Sequence, residues 1–293
     1  MAVPVIKFPT LMMLVRLMGV TVAALVLTWT VHYRGGLALV SDNKDLIFNV
    51  HPVLMAIGLV LLNGEGKYPF CALLALVLCV CRCVEWALKM PESELLLVMF
   101  ESWGFKCCQW HEMNLSCLVI YEFEPAMLAY KTVSGTKSFK KLVHLTLQCL
   151  ALCLSLIGLW AALKFHNDKG IDNFYSLHSW LGLACLILFA IQWAAGFVTF
   201  WYPGGSRNSR ATLLPWHVFF GVYIYALAVV TATTGILEKA TFLQTNKVIS
   251  HYSAEALLVN SLGILIIVLG GFVVLATITS LNSKGDIPRN ATE

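Results

Sequence analysis

Eight histidines occur in this 293-residue chain, and four of them stand inside or at the mouth of long apolar stretches. They are His51 in Asn49-Val50-His51-Pro52, His144 in Lys141-Leu142-Val143-His144, His178 in Ser176-Leu177-His178-Ser179-Trp180, and His217 in Pro215-Trp216-His217. An imidazole without water around it is costly unless its proton and its lone pair both find partners, so each is a candidate for chemistry. One alone is equally well explained by a neighbouring backbone carbonyl or serine. Four together invite a common explanation, and imidazole is suited to two tasks: holding a metal and relaying a proton.

The elements that carry them are apolar. Hydrophobic residues make up 59% of the chain and charged residues 12%, with a mean hydropathy of +0.77. A soluble domain carries about a quarter charged residues, so lipid must surround most of this chain. Apolar length predicts spans over Leu11 to Val31, Ile47 to Glu65, Leu142 to Leu163, Phe174 to Trp201, Leu213 to Leu237 and Ala254 to Ile278. No small-residue cleavage site follows the first, so it reads as a spanning helix rather than a removed signal peptide. The expected fold is an all-α membrane protein, a six-transmembrane-helix bundle forming one domain over residues 1–293, with the lipid bilayer as its surroundings. The net charge of +4 is small and lies in short loops, which speaks against nucleic acid as a partner.

Loop charges orient the bundle. With residues 66–125 set aside, Lys131, Lys137, Lys140 and Lys141 lie between spans two and three without an acidic residue, as do Arg207 and Arg210 between spans four and five. The opposite loops mix signs: Arg34, Asp42, Lys44 and Asp45, then Lys164, Asp168, Lys169 and Asp172, then Glu238, Lys239 and Lys247. The positive-inside rule therefore puts the unmixed basic loops and both termini in the cytosol.

Orientation gives the histidines their depths. Spans two and four enter from the non-cytosolic side and carry His51 and His178 near that entrance; spans three and five enter from the cytosol and carry His144 and His217. Two imidazoles near each face, on four separate helices, suit two haems stacked across a membrane, each iron held by a histidine pair. Such ligation leaves no open iron position, so the haem relays electrons. Zinc is a poorer fit, because no carboxylate or thiolate accompanies either pair in the core spans. Small residues (Gly158, Gly182, Ala184, Ala194, Ala195, Gly196) permit a flat macrocycle or plain helix packing equally well. Seven of the ten cysteines crowd into residues 71–117 and the other three are expected to face lipid; no Cys-x-x-Cys pair is present, and no disulfide framework is expected.

At these residues the chain resembles the cytochrome b561 family, in particular its plant branch of transmembrane ascorbate-dependent oxidoreductases. The matching segments include Trp29-Thr30-Val31-His32-Tyr33-Arg34-Gly35-Gly36, Phe48-Asn49-Val50-His51-Pro52-Val53-Leu54-Met55, Tyr175-Ser176-Leu177-His178-Ser179-Trp180-Leu181-Gly182, Trp201-Tyr202-Pro203-Gly204-Gly205 and Leu214-Pro215-Trp216-His217-Val218. The resemblance implies two b-type haems in the central four helices, with His51 and His178 as axial ligands of the non-cytosolic haem and His144 and His217 of the cytosolic one. It places ascorbate beside Lys137, Lys141 and Arg210, the non-cytosolic substrate beside Phe165, His166 and Tyr175, and a haem contact at Glu238. The implied activity is electron transfer from cytosolic ascorbate through two haem b groups to monodehydroascorbate or a ferric chelate outside the cytosol. The implied location is a vacuolar endomembrane or the plasma membrane, and a homodimer is compatible with it. The rival functions are a histidine-bearing metal or proton transporter without haem, which would have no visible absorbance, and a membrane assembly factor.

Residues 66–125 stand apart: cysteine-rich, without counterpart in the resemblance, and interrupting span two. His51 to Glu65 rises only about 21 Å against a hydrocarbon core of about 30 Å. Joining Asn63-Gly64-Glu65 to Ala126-Met127-Leu128 restores a full span. Gly66-Lys67-Tyr68 is what a splice-donor sequence GGTAAGTAT encodes, and Pro125-Ala126 fits CCAGCC with an acceptor AG. The segment reads as a translated intron, with a regulatory insertion as the alternative. Sequencing the genomic locus is expected to show GT and AG bounding these codons; an exon covering them without either would end the idea.

Overall fold

The computed structural model describes residues 8–63 and 136–282; the 66–125 segment and its intron reading lie outside them. Helix α1 is Phe8–Thr28 and runs on through a π-helical turn, Trp29–Tyr33. Helix α2 is Lys44–Met55, continued by π-helical Ala56–Leu62. Helices α3 (Lys137–Lys169), α4 (Leu177–Phe200), α5 (Arg207–Thr245) and α6 (Ala254–Asn282) complete the set. Among the described residues, six helices are long and apolar enough to cross a membrane, as the hydropathy pattern predicts.

Capping chemistry fixes where helices α2 to α5 start. The Asn43 side chain accepts from the Asp45 amide, Thr136 from Phe139, and Ser206 from Ser209. Ser176 and Ser179 form a reciprocal capping box at the head of α4. Gly170, at φ 68°, ends α3 in the left-handed region that a Cβ disfavours. With these caps, α3 reaches about 50 Å and α5 about 58 Å, well beyond a core of about 30 Å. Several charges expected in loops are therefore helical: Lys137, Lys141, Arg207 and Arg210 at one end, Lys164, Asp168, Lys169, Glu238 and Lys239 at the other. Apolar length marks only the part of a helix inside hydrocarbon; capped polar turns carry it through the headgroups.

The helices pack as a closed ring, α1 on α6, α6 on α5, α5 on α4, α4 on α3 and α3 on α2, while α2 also meets α1. The π-helical end of α2 reaches α5 across the middle. Val22, Val26, Val60, Leu62, Ala151, Phe189, Tyr225, Leu262 and Ile266 fill the interior, whereas Leu17, Ile187, Ile191, Ile264 and Ile267 face outward, as lipid allows. Gly58 and Gly158 let α2 and α3 touch: a Cβ on Gly58 would lie 3.0 Å from the Ala151 carbonyl. Ala184, Ala194 and Ala195 instead face outward, and Cys185, expected to meet lipid, is buried with its thiol 3.7 Å from the Ile224 carbonyl. Helical rotation decides such facing, and a segment apolar on every side does not reveal it.

At the end bearing the 34–43 loop, here the upper end, Glu255 opens α6 and pairs with Arg34 at the exit of α1. The indole N–H of Trp29 donates to the same carboxylate at 2.9 Å. The Asn49 amide, from α2, donates to the carbonyls of Arg34 and Gly36 at 3.0 and 2.8 Å. Three helices are thus tied by one buried polar cluster. Glu255→Ala would leave a guanidinium and an indole N–H unpaired, and a loss of about 3 kcal/mol is expected. Thermal unfolding in detergent checks this against Lys164→Ala, which removes a half-exposed pair and should cost less than about 1 kcal/mol.

Candidate functional site

The four core histidines converge in two pairs at two depths. Near the upper end, His51 of α2 and His178 of α4 face each other with ring centres 6.0 Å apart and planes 81° apart. Toward the lower end, His144 of α3 and His217 of α5 stand 6.3 Å apart at 74°. Along α3, the carbonyl that meets His51 belongs to Gly158, 14 residues or about 21 Å beyond His144.

Hydrogen bonds set the ring chemistry of the upper pair. His51 Nδ1 lies 3.0 Å from the Gly158 carbonyl, and His178 Nδ1 lies 2.9 Å from the Thr231 carbonyl. A carbonyl only accepts, so each Nδ1 donates and each Nε2 keeps its lone pair for another partner. Below, the Gln192 amide donates to the His217 backbone carbonyl at 2.6 Å, and Phe200 lies edge-on to the His217 ring at 5.3 Å. Two imidazoles bound to opposite sides of one metal ion, at about 2 Å per bond and about 1 Å from nitrogen to ring centre, stand about 6 Å apart. Both pairs meet that spacing. Among the described residues no three histidine, cysteine or acidic side chains gather, so each level offers a pair of donors. A paired donor set suits an axially ligated haem iron better than a four-ligand zinc site.

Around the upper pair, Phe48 lies one turn before His51, its ring 6.0 Å from the imidazole and 4.9 Å from Phe165. Phe165 is buried and lies 6.0 Å from His166. Lys239 caps this group, its ammonium 4.1 Å from the Phe48 ring centre and 5.9 Å from that of Phe165; Lys169 adds a second cation 5.7 Å from Phe165. Tyr175 donates to Glu238 at 3.3 Å. Burial first, then the Glu238 carboxylate, push the Tyr175 phenol above its ordinary pKa. Of the expected upper-end residues, the structure thus joins Phe165 to His166, and Tyr175 to Glu238. Glu238, expected as a haem contact, is engaged by this tyrosine. Phe48 and Lys239 are additions. Their sequence signal was spacing: Phe48 stands three residues before His51, and Lys239 shares a helical face with Thr231.

At the lower end Lys137, Lys141 and Arg210 sit on the opening turns of α3 and α5, neither of which has an acidic residue in its first turn. Lys141 Nζ reaches the Phe200 carbonyl at 3.4 Å, while Lys137 and Arg210 are exposed. Two positive helix ends and three cations make this an anion-attracting surface.

The family model described as eukaryotic cytochrome b561 matches residues 110–243, opening inside the 66–125 segment and covering three of the four core histidines. Transmembrane ascorbate ferrireductase 2 of Arabidopsis thaliana is 58% identical over 287 residues, 98% of this chain and 99% of that protein. Transmembrane ascorbate ferrireductase 1 of the same plant is 37% identical over 258 residues, 88% of this chain and 82% of its own. A transmembrane ascorbate-dependent reductase of Sus scrofa is 32% identical over 259 residues, 88% and 77% of the two chains.

Proposed function

This chain belongs to the cytochrome b561 family, and from that premise we propose that it is an oxidoreductase carrying electrons across a membrane from cytosolic ascorbate to monodehydroascorbate or a ferric chelate. The observation that carries the reading is the pairing of four imidazoles on four helices at two depths, at 6.0 and 6.3 Å. His51 with His178, and His144 with His217, would each hold one haem b. A haem iron with two axial imidazoles exchanges single electrons and offers no open position to oxygen.

The residues do the rest. The Gly158 and Thr231 carbonyls hold His51 and His178 in one tautomer and orientation. Lys137, Lys141 and Arg210 draw the ascorbate monoanion to the lower, cytosolic end, where helix N-termini reinforce their charge. Phe165 and His166, with Tyr175 held by Glu238, receive the acceptor at the opposite end. Lys239, over the Phe48 ring, puts a positive charge at that mouth, which suits an anionic acceptor. Both termini lie in the cytosol in this orientation, and the membrane is a vacuolar or plasma membrane.

Optical and electron paramagnetic resonance spectra of purified protein, oxidised and ascorbate-reduced, test the ligand sets. His144→Ala and His217→Ala are expected to remove the same low-spin signal, and His51→Ala and His178→Ala the other. Loss of a signal in His51→Ala that persists in His178→Ala would sink the pairing. The docking role is tested separately. Lys141→Ala/Arg210→Ala should slow reduction by ascorbate about tenfold or more, the loss of one or two charge-assisted contacts, with both spectra intact. Unchanged kinetics would leave these residues as orientation charges.

A further inference from the structure

Helices α4 and α5 exchange the same two features. On α4, Gly196 lies 18 residues after His178; on α5, Gly235 lies 18 residues after His217. Eighteen residues make five full turns, so each histidine and its glycine share one face about 27 Å apart. The helices run antiparallel, and each glycine therefore meets the other helix's histidine. A Cβ added at Gly235 would stand 2.6 Å from His178 Cε1, 2.9 Å from its Nδ1 and 3.1 Å from its Nε2. A Cβ at Gly196 would stand 2.8 Å from His217 Cε1. Carbon atoms in contact prefer about 3.5–4.0 Å, so neither position has room for a methyl group unless the imidazole moves. Other glycines on these helices differ: a Cβ at Gly221 would meet nothing closer than 3.8 Å, and at Gly182 nothing closer than 3.5 Å.

The reason for the close approach is visible at the upper level. In a helix, the side chain at position i+4 lies beside the carbonyl of position i. Gly235 is four residues beyond Thr231, whose carbonyl is the one that His178 Nδ1 reaches at 2.9 Å. A bare Cα there leaves that carbonyl open to a third partner. The His178 ring can then lie against α5 while facing His51 on α2. At the lower level the roles reverse: His217 leans across α4 at Gly196 and faces His144 on α3.

We propose that Gly196 and Gly235 are positioning residues, one for each haem: Gly235 sets the His178 ring, and Gly196 the His217 ring, by withholding a side chain where the ring must lie. This rests on the reading of the histidine pairs as haem ligands. A glycine kept for general helix packing would affect both levels alike; these two act on one level each.

The test uses the full chain purified in detergent, read by haem-to-protein ratio and by low-spin electron paramagnetic resonance signals. Gly235→Ala is expected to take the ratio from about two toward one, losing or shifting the signal that His178→Ala removes. Gly196→Ala should do the same to the signal that His217→Ala removes. Gly221→Ala serves as control and keeps both. Retention of both signals unshifted in either alanine variant, or loss of both together, overturns the assignment. Should Gly235→Ala fail to accumulate as folded protein, the double variant His178→Ala/Gly235→Ala decides. Recovery to the level of His178→Ala alone supports a clash with the ring, and no recovery refutes it. If the histidine variants themselves keep both signals, the ligand reading fails instead of this one.

Discussion

An imidazole inside a bilayer must satisfy two nitrogens without water, and the rest of this structure answers to that requirement. Protonating the ring would put a charge in hydrocarbon, so the neutral form is held, with one nitrogen donating and the other left with a lone pair. For His51 and His178 the acceptor is a helix carbonyl, Gly158 or Thr231. Helix carbonyls are already bonded within their own helix, yet keep a second lone pair that a donor can reach only where side chains are small. The histidines can therefore sit only opposite thin places in neighbouring helices. That condition draws α3 onto α2 and α5 onto α4, the tightly packed pairs of the ring.

The pairing of helices then makes two levels from one arrangement. Helices α4 and α5 each supply a histidine to one level and a gap to the other. The electrostatic settings of the two ends differ. The lower end gathers lysines, an arginine and positive helix ends with no acid in the first turns. The upper end couples its charges: Lys164 and Lys44 with Asp168 at 3.0 and 3.7 Å, Lys169 with Asp45 at 3.8 Å, Arg34 with Glu255, and Tyr175 with Glu238. The half-exposed pairs contribute under about 1 kcal/mol each, so their effect is to compensate field rather than to hold the fold. The Arg34, Glu255, Trp29 and Asn49 cluster is different, being buried and shared by three helices.

Membership of the cytochrome b561 family explains why such a bundle should have two electrically distinct mouths. Electron transfer across a bilayer needs a donor held at one face and an acceptor at the other. A basic surface fits an anionic reductant, and an aromatic mouth with Lys239 poised over Phe48 fits a planar or chelated anionic acceptor.

The sequence alone determined the number of spans, their order, and the four histidines with their depths, because hydropathy and loop charge are one-dimensional signals that a bilayer reads directly. Loop charge also marked Lys131, Lys137, Lys140, Lys141, Arg207 and Arg210, and the family resemblance singled out Lys137, Lys141 and Arg210 among them. Where the helices end was decided by caps such as Thr136, Ser206 and Gly170, whose geometry appears only once the chain is folded. Rotation about each helix axis was likewise out of reach, since a segment apolar on every face carries no moment to read. Only the tertiary structure could therefore bury Cys185, turn Ala194 and Ala195 outward, and set Gly196 and Gly235 against histidines of other helices. Contacts between helices distant in sequence depend on how two surfaces interlock, and the spacing along either one does not contain that information.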